Sequence, residues 1–447
     1  MAEGSTGHGA GLTPRPAPRR LSRGPLRLQR LLLLPLLPGL MAWLLLRLLQ
    51  GKDDRRRWRE RWGQPSCPRP PGPLLWFHAA SVGELRSLEA LLRELRQRWP
   101  DAQRLVTTGS RSSAQLAQQL AEHWGFVHQM VPLNLPWAVA AFLQHWQPTV
   151  SVFVESEFWP ELLAAAPRPV LVNGRVSDRS FRGYRRWPGW SRWILSHFHL
   201  CLAQSATDAE RLQQLGCPPE RLHTVGNLKA DAPPLPVDSH QLARLRQQLT
   251  GRPVLLLAST HPGEEALLLQ ALQRLRAHWP QLLVLVAPRH PQRGPALQHQ
   301  LQHQGWQVGL RSRGDEPADG SGVYVADTLG ELGLWIRLSR LVVIGGSFVN
   351  RGGQNPLEAA RLGVPVVCGP WMGNFRSLSR ALQERGWLEA LATAAALEPV
   401  AQRHLAGQAP STPRQDLADL GGGSRTTALQ LLHLLRQPTG TASSLTS

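Results

Sequence analysis

The sequence predicts an α/β protein made of two Rossmann-like domains facing each other across a cleft, preceded by an N-terminal membrane segment. Three observations carry this. A chain of 447 residues is too long for one ordinary core. From Pro73 onward it repeats one phrase: a short apolar run, a few polar or glycine residues, then a segment of helical period. Strands alternating with helices imply doubly wound parallel sheets. A Pro-rich connector, NLKADAPPLPVDS (227–239), separates two sets of such phrases.

The predicted layout is a disordered basic tail (1–30), a membrane anchor (31–50), an N-terminal Rossmann-like domain (51–228), a linker (229–239), a C-terminal Rossmann-like domain (240–430) and a C-terminal tail (431–447). The anchor is LLLLPLLPGLMAWLLLRLL, from Leu31 to Leu49, interrupted by Arg47 and the Pro35/Pro38/Gly39 group. Its uncharged run is shorter than the ~20 residues of a clean span, and no small-residue cleavage site follows. Two readings stay open, a short span or a helix lying in one leaflet. Basic residues directly after it, Lys52 to Arg61, favour catalytic domains on the cytoplasmic side of an anionic inner membrane.

In the first half the apolar runs are 74–80, 104–108, 149–156, 168–174, 200–205 and 223–227; in the second they are 253–260, 281–290, 322–327, 340–347 and 364–369. After the first run, Leu85, Leu88, Leu91, Leu92, Leu95 and Trp99 recur at helical spacing. In such sheets ligands sit at the carboxyl ends of the strands. Polar residues fall there repeatedly: Ser81 to Glu84, Glu155-Ser156-Glu157, Asn173-Gly174-Arg175, Ser259-Thr260-His261, Arg289-His290 and Gly345-Gly346-Ser347. Any one of these reads equally well as turn chemistry. Ser81 and Glu84, for instance, form the S-x-x-E signature of a capping box. Their joint placement on one rim points to a site.

Fifty basic residues against 31 acidic give a formal charge of +19, and the first 62 residues hold 13 basic residues against four acidic. The excess implies an anionic partner. A nucleic-acid binder would explain the charge but not the strand-end carboxylates, and no nucleic-acid module is present. Cys67, Cys201, Cys217 and Cys368 stand far apart with no C-x-x-C pair, and the 16 histidines include no H-E-x-x-H, so neither a disulfide framework nor a zinc site is expected.

The motifs HAASVGE, VESEFWPELL, NGRVSDRSFRGY, AQSATDAERL, VGNLKAD, ASTHPGEE, APRHPQR, DTLGELG, IGGSFVNRGGQNPLEAA and GPWMGNF resemble, in order and spacing, the 3-deoxy-manno-octulosonic acid (Kdo) transferases. The likeness runs over about residues 51–430. Asn134 stands where that family has aspartate, and Gln354 where it has histidine. The resemblance implies a GT-B type fold and an inverting glycosyltransferase moving Kdo from CMP-Kdo to a lipid A precursor. The first half would bind the acceptor and the second the donor, at the cytoplasmic face of the inner membrane. Inner-membrane lipids are implied partners; nucleic acid, a cofactor and a metal are not. Another GT-B sugar-nucleotide transferase acting on a membrane glycolipid is the alternative.

On this resemblance Glu84 is the catalytic base. Its position suits the role, since the first turn of a helix favours an ionised carboxylate; capping alone is the competing reading. For the donor, Asn355 reads as an N-cap and Pro356 as the first helical residue, so Gly352, Gly353 and the following N–H groups form an anion site. Glu358 is implied to accept hydrogen bonds from ribose hydroxyls. Arg289 is the expected cation beside phosphate or sugar carboxylate, with Ser259, Thr260, Gly330 and Glu331 lining the same pocket. Arg175, Ser177, Arg179 and Arg182 lie in a basic segment suited to an acceptor's phosphates, a solvated basic loop being the alternative. Glu157 is placed with them; Glu155 and Glu157 share one side of a strand by period two and receive no separate role.

Overall fold

Two all-parallel sheets of seven strands each form the scaffold. The computed structural model describes residues 24–33, 35, 37–49, 54, 56–317, 322–408, 415–417 and 420–436. The first sheet comprises β1 (Leu74–His78), β2 (Gln103–Thr108), β3 (Val127–Met130), β4 (Val150–Val154), β5 (Pro169–Gly174), β6 (Leu200–Ala203) and β7 (Leu222–Thr224), in the order β3-β2-β1-β4-β5-β6-β7. The second comprises β8 (Val254–Thr260), β9 (Leu283–Pro288), β10 (Val308–Leu310), β11 (Val323–Val325), β12 (Leu341–Ile344), β13 (Val366–Cys368) and β14 (Leu388–Ala390), in the order β10-β11-β9-β8-β12-β13-β14.

Each sheet is covered on both faces, as parallel pairing requires. In β1, Leu75 and Phe77 enter one core cluster while Leu74 and Trp76 enter the other, which is period-two alternation with both sides apolar. Every residue of β1 is buried, and each large side chain taken from water there contributes about 1.5–3 kcal/mol. Strand order reverses direction on the two sides of β1, which pairs with β2 on one flank and β4 on the other. In the second sheet β8 occupies the same place, between β9 and β12. The crevices outside these two strands are the topological switch points where ligands bind in doubly wound sheets.

Three departures from the sequence reading concern the ends of the domains. Gly24–Leu33 is an α-helix, so the segment 24–30 is not a disordered tail: Leu26 is buried in the core of the first domain. The apolar segment is not one continuous rod. It is split into Gly24–Leu33 and Leu37–Leu49, either side of Pro35, because proline has no N–H to donate and clashes with the preceding turn. The second piece has 13 residues, about 20 Å at 1.5 Å per residue, against a hydrocarbon core of about 30 Å. No helix among the described residues is long and apolar enough to cross a membrane. Finally, Gly423–Arg436 is a helix whose Ala428, Leu431, Leu432 and Leu434 join Leu85, Leu88 and Leu92 in a core cluster of the first domain. The chain therefore returns to the first domain near residue 423, inside what was read as the second domain and tail. Asp231 holds this return by accepting from the N–H groups of Gly422 and Ser424 at 2.5 Å each. The expected tails at 1–23 and 437–447 lie outside the described residues.

Candidate active site

β1 ends at His78, and the chain turns through Ala79 to Ser81 into the helix Val82–Arg98. Ser81 is its N-cap: its Oγ accepts from the Glu84 N–H at 3.3 Å. The Glu84 carboxylate in turn accepts from the Ser81 hydroxyl and from the Ala80 N–H, at 2.8 Å each. It thus grips the turn one residue upstream of the capping-box partner, which would be the N–H of Ser81 itself. Burial, then the charges of Glu157 and Glu155, push the Glu84 carboxyl from 4.5 up to about 7, against the pull of its two hydrogen bonds. A half-buried carboxylate with this value is poised to take a proton near neutrality.

The neighbouring carboxylates come from the end of β4. Glu155 adopts a left-handed φ of 58°, a conformation that costs on the order of 1 kcal/mol and is typical of functional sites. Asn173 and Ser259 share it, at 54° and 58°, and all three lie at the ends of sheet strands on the cleft side. Glu155 receives the Lys229 ammonium at 2.6 Å and lies 3.7 Å from the Arg175 guanidinium. Glu157 lies 3.4 Å from Nε2 of the fully buried His78 and accepts from the Trp159 indole N–H. Burial raises its carboxyl, but the His78 and Trp159 contacts outweigh that and hold it below its ordinary range. It therefore remains charged beside Glu84.

In the second domain the loop after β12 is shaped by a residue that sequence reasoning did not single out. The buried Glu264 carboxylate accepts from four backbone N–H groups, those of His261, Gly346, Ser347 and Phe348, at 2.6–3.1 Å. Gly353 follows with a φ of 71°, and a Cβ there would meet Met372 Sδ at 2.2 Å, so only glycine fits. Asn355 Oδ1 accepts from the Leu357 N–H at 3.1 Å, but the N-cap is Pro356, one residue later than expected, and it has no side-chain cap. The helix it starts is a single turn, Leu357–Ala360. Within the expected anion site the Gly353 N–H donates to the Gly346 carbonyl at 3.0 Å and the Leu357 N–H to Asn355, and so short a helix carries little macrodipole.

Glu358 accepts from the Asn355 side chain at 3.3 Å. Burial pushes its carboxyl up, while the Asn355 contact and the charges of Arg86 and Arg289 pull it down. Arg86 belongs to the Glu84 helix and Arg289 follows β9, so positive charge from both domains acts on Glu358. Burial, then His290, Arg351, Arg289 and Arg293, lower the His261 imidazole, a sign of a positive field at this end of the second sheet.

Two expected donor residues have partners within the second domain. Thr260 is buried and donates to Glu265 at 2.8 Å, and Glu265 also pairs with Arg293 at 2.8 Å. Glu331 is held by Arg311 at 2.7 and 3.1 Å, by the Thr328 hydroxyl and by Gln241. Both therefore have partners within the second domain; Gly330 is an exposed turn with a φ of 85°.

In the acceptor set, Ser177 is an N-cap accepting from the Ser180 N–H at 3.1 Å, Arg179 is exposed on the helix Asp178–Arg185, and Arg182 donates back to the Asp178 carbonyl at 3.3 Å. Arg175 reaches across the cleft to the Gly373 carbonyl and Asn374 Oδ1, at 3.1 and 3.0 Å. Beside it Asp178 accepts from Arg376 at 2.5 Å and from Arg211. Lys229 lies 5.4 Å from the centroid of Phe375. These contacts bring the 373–376 loop of the second domain onto the acceptor half. Among the described residues no group of three or more His, Cys, Asp or Glu is placed to hold a metal ion.

Comparison with known proteins gives a consistent result. The family model described as 3-deoxy-D-manno-octulosonic-acid transferase (kdotransferase) matches residues 56–232. The chain is 33% identical over 380 residues to the 3-deoxy-D-manno-octulosonic acid transferase of Haemophilus influenzae, covering 82% of this chain and 87% of that one. It is 36% identical over 326 residues to the Bordetella pertussis protein of the same name, with coverage of 70% and 75%. Among solved structures, the UDP-GlcNAc 2-epimerase of Neisseria meningitidis bound to UDP-GlcNAc superposes with a TM-score of 0.54 at 12% identity, over 81% of this chain and all of that one. That likeness speaks to the two-domain fold alone. With the Haemophilus and Bordetella relatives, the chain belongs to the 3-deoxy-D-manno-octulosonic acid (Kdo) transferase family and is a glycosyltransferase.

Proposed function

We propose that the protein transfers Kdo from CMP-Kdo to a lipid A precursor with inversion at the anomeric carbon, at the cytoplasmic face of the inner membrane. The observation that carries the reading is Glu84: a carboxyl raised to about 7, at the switch point of the first sheet, on a helix whose Arg86 charge is felt by Glu358 of the second domain.

In this mechanism the acceptor hydroxyl enters between the two sheets, and Glu84 takes its proton as the oxygen bonds to the anomeric carbon. The bond from that carbon to the CMP phosphate oxygen breaks, and the electron pair leaves with CMP. Attack from the side opposite CMP gives inversion. Arg289, beside the turn from Gly352 to Asn355, suits the charge gathering on the leaving phosphate, and Glu358 suits ribose hydroxyls. Lys229, half-buried against Glu155, is the cation of the first domain nearest the acidic cluster by its contacts and is suited to the Kdo carboxylate. Arg179 and Arg182 suit acceptor phosphates.

The helix Leu37–Leu49, too short to span and with Met41, Leu46 and Leu49 exposed, is suited to lie in one leaflet. The test is incubation of purified protein with CMP-Kdo and lipid A precursor, with the products read by mass spectrometry. Addition of Kdo units is expected. Transfer of a different sugar to the lipid, with Kdo refused, would replace this reading by that of another GT-B transferase.

A further inference from the structure

We propose that the N-terminal helix Gly24–Leu33 is a positioning element of the active site, holding the 155–161 loop through an ion pair between Arg30 and Glu161. Arg30 Nε and Nη2 donate to the two oxygens of Glu161 at 2.8 Å each, the bidentate geometry that makes an arginine–carboxylate pair both strong and directional. Glu161 is 3% exposed and Arg30 46%, so an otherwise buried carboxylate takes its cation from a helix 131 residues earlier in the chain. The other contact at this point comes from the neutral Asn134, whose Oδ1 accepts from the N–H groups of Glu161 and Leu162 and brings no positive charge.

One turn before Arg30, Leu26 is buried in the same core cluster as Phe153, Leu162 and Trp193. The helix is thus seated by an apolar contact and a charge contact on one face, where an element serving only as a tether needs neither. What it holds is the loop that delivers Glu155, Glu157 and Trp159 to the cleft. Glu161 opens the helix Pro160–Ala165 that ends this loop, and the Trp159 indole bonds Glu157. The apolar helix Leu37–Leu49 follows Gly24–Leu33 directly, so attachment to a bilayer and the placement of the acidic cluster pass through one segment.

This inference rests on the Kdo-transfer reading, and full-length protein separates the two. Arg30→Ala, Arg30→Lys and the swap Arg30→Glu/Glu161→Arg are compared with wild type for kcat and KM on detergent-dispersed acceptor, for thermal melting, and for co-sedimentation with phosphatidylethanolamine/phosphatidylglycerol vesicles. Arg30→Ala is expected to lower kcat by about 10- to 100-fold, as misplacement of catalytic groups does, with vesicle partitioning within about twofold of wild type. Arg30→Lys should fall between the two, and the swap should recover most of the lost kcat. A loss of vesicle binding with turnover per bound enzyme unchanged would make Arg30 a lipid contact and overturn the proposal. So would an unchanged kcat in Arg30→Ala, or a folded swap variant no better than it. If the swap does not fold, Arg30→Lys decides, and a kcat equal to that of Arg30→Ala overturns the proposal. Wild-type protein that is inactive with CMP-Kdo would instead sink the reading on which it rests.

Discussion

Replacing Glu157 with glutamine should move the acid limb of the pH–rate profile to lower pH. Glu84 must be ionised to accept a proton, and its carboxyl is raised to about 7 by burial first, then by the charge of Glu157, then by that of Glu155. In the wild type kcat/KM should therefore climb through about pH 7, with roughly a tenth of the plateau reached at pH 6. Glutamine at 157 keeps the volume and removes one charge, which is present at these pH values because the His78 and Trp159 contacts hold Glu157 low. Like charges sharing a site at an effective dielectric of about 20–40 repel by on the order of 1–2 kcal/mol, which is about one pH unit. The limb should fall to about pH 6 and no further, since burial and Glu155 remain. Lys229, Arg175, His78 and Tyr184 also face this cluster, so each variant needs a profile across the whole range from pH 5 to 9. The plateau height reports any contact of Glu157 with acceptor; the position of the limb reports the charge. A limb that stays put or moves upward refutes the electrostatic reasoning.

The same raised carboxyl has a stability signature. The folded state favours protonated Glu84, so its contribution is fully present below about pH 4.5 and is lost as pH rises through about 7; thermal melting of Glu84→Gln should depend less on pH over that window than wild type. Glu358→Ala should weaken CMP binding by about 10-fold or more, through loss of hydrogen bonds to hydroxyls, whereas Glu84→Gln should leave it unchanged; calorimetric titration separates them, and equal weakening would mean that the site is divided wrongly between the domains. Glu264→Ala strips four backbone N–H groups of their acceptor and should cost about 3 kcal/mol or more in denaturant unfolding. Arg376→Ala removes the cross-cleft contact to Asp178 and should raise the KM for acceptor several-fold while CMP binding by the isolated donor site persists; unchanged kinetics would show that the contact is not used in turnover.

The interior of each sheet was legible because a strand buried on both faces must be continuously apolar. The runs 74–80, 149–156, 253–260 and 340–347 coincide with β1, β4, β8 and β12. Three strands escaped notice, β3, β10 and β14, and all three are sheet edges of three or four residues. An edge strand pairs on one side only, so VHQM at β3 can carry polar side chains that mask the pattern. The helix Gly423–Arg436 was read as the end of the second domain and a tail, because its partner, the helix Val82–Arg98, lies over 300 residues away and nothing local encodes the pairing. Glu84 was singled out through the family resemblance, since its turn alone reads as a cap, and the cluster that tunes it depends on β4 standing beside β1. Strand-end position suggested Thr260 and Glu331 for the donor pocket but could not show that Glu265 and Arg311 also hold them. Lys229 left one signal that could have been used. It is one of two lysines in a chain whose other basic residues are arginines, and a compact ammonium among forks suggests a distinct task.

The account's central claim is that Glu84 removes the acceptor proton while the second domain holds CMP-Kdo. The most direct test is the initial rate of Kdo transfer to lipid A precursor by wild type and Glu84→Gln at about pH 8, with CMP affinity and melting measured on the same preparations. The account predicts a rate lower by roughly 10²–10⁴ or more in Glu84→Gln, with CMP affinity and folding retained. Near-normal transfer by a folded Glu84→Gln protein would contradict it.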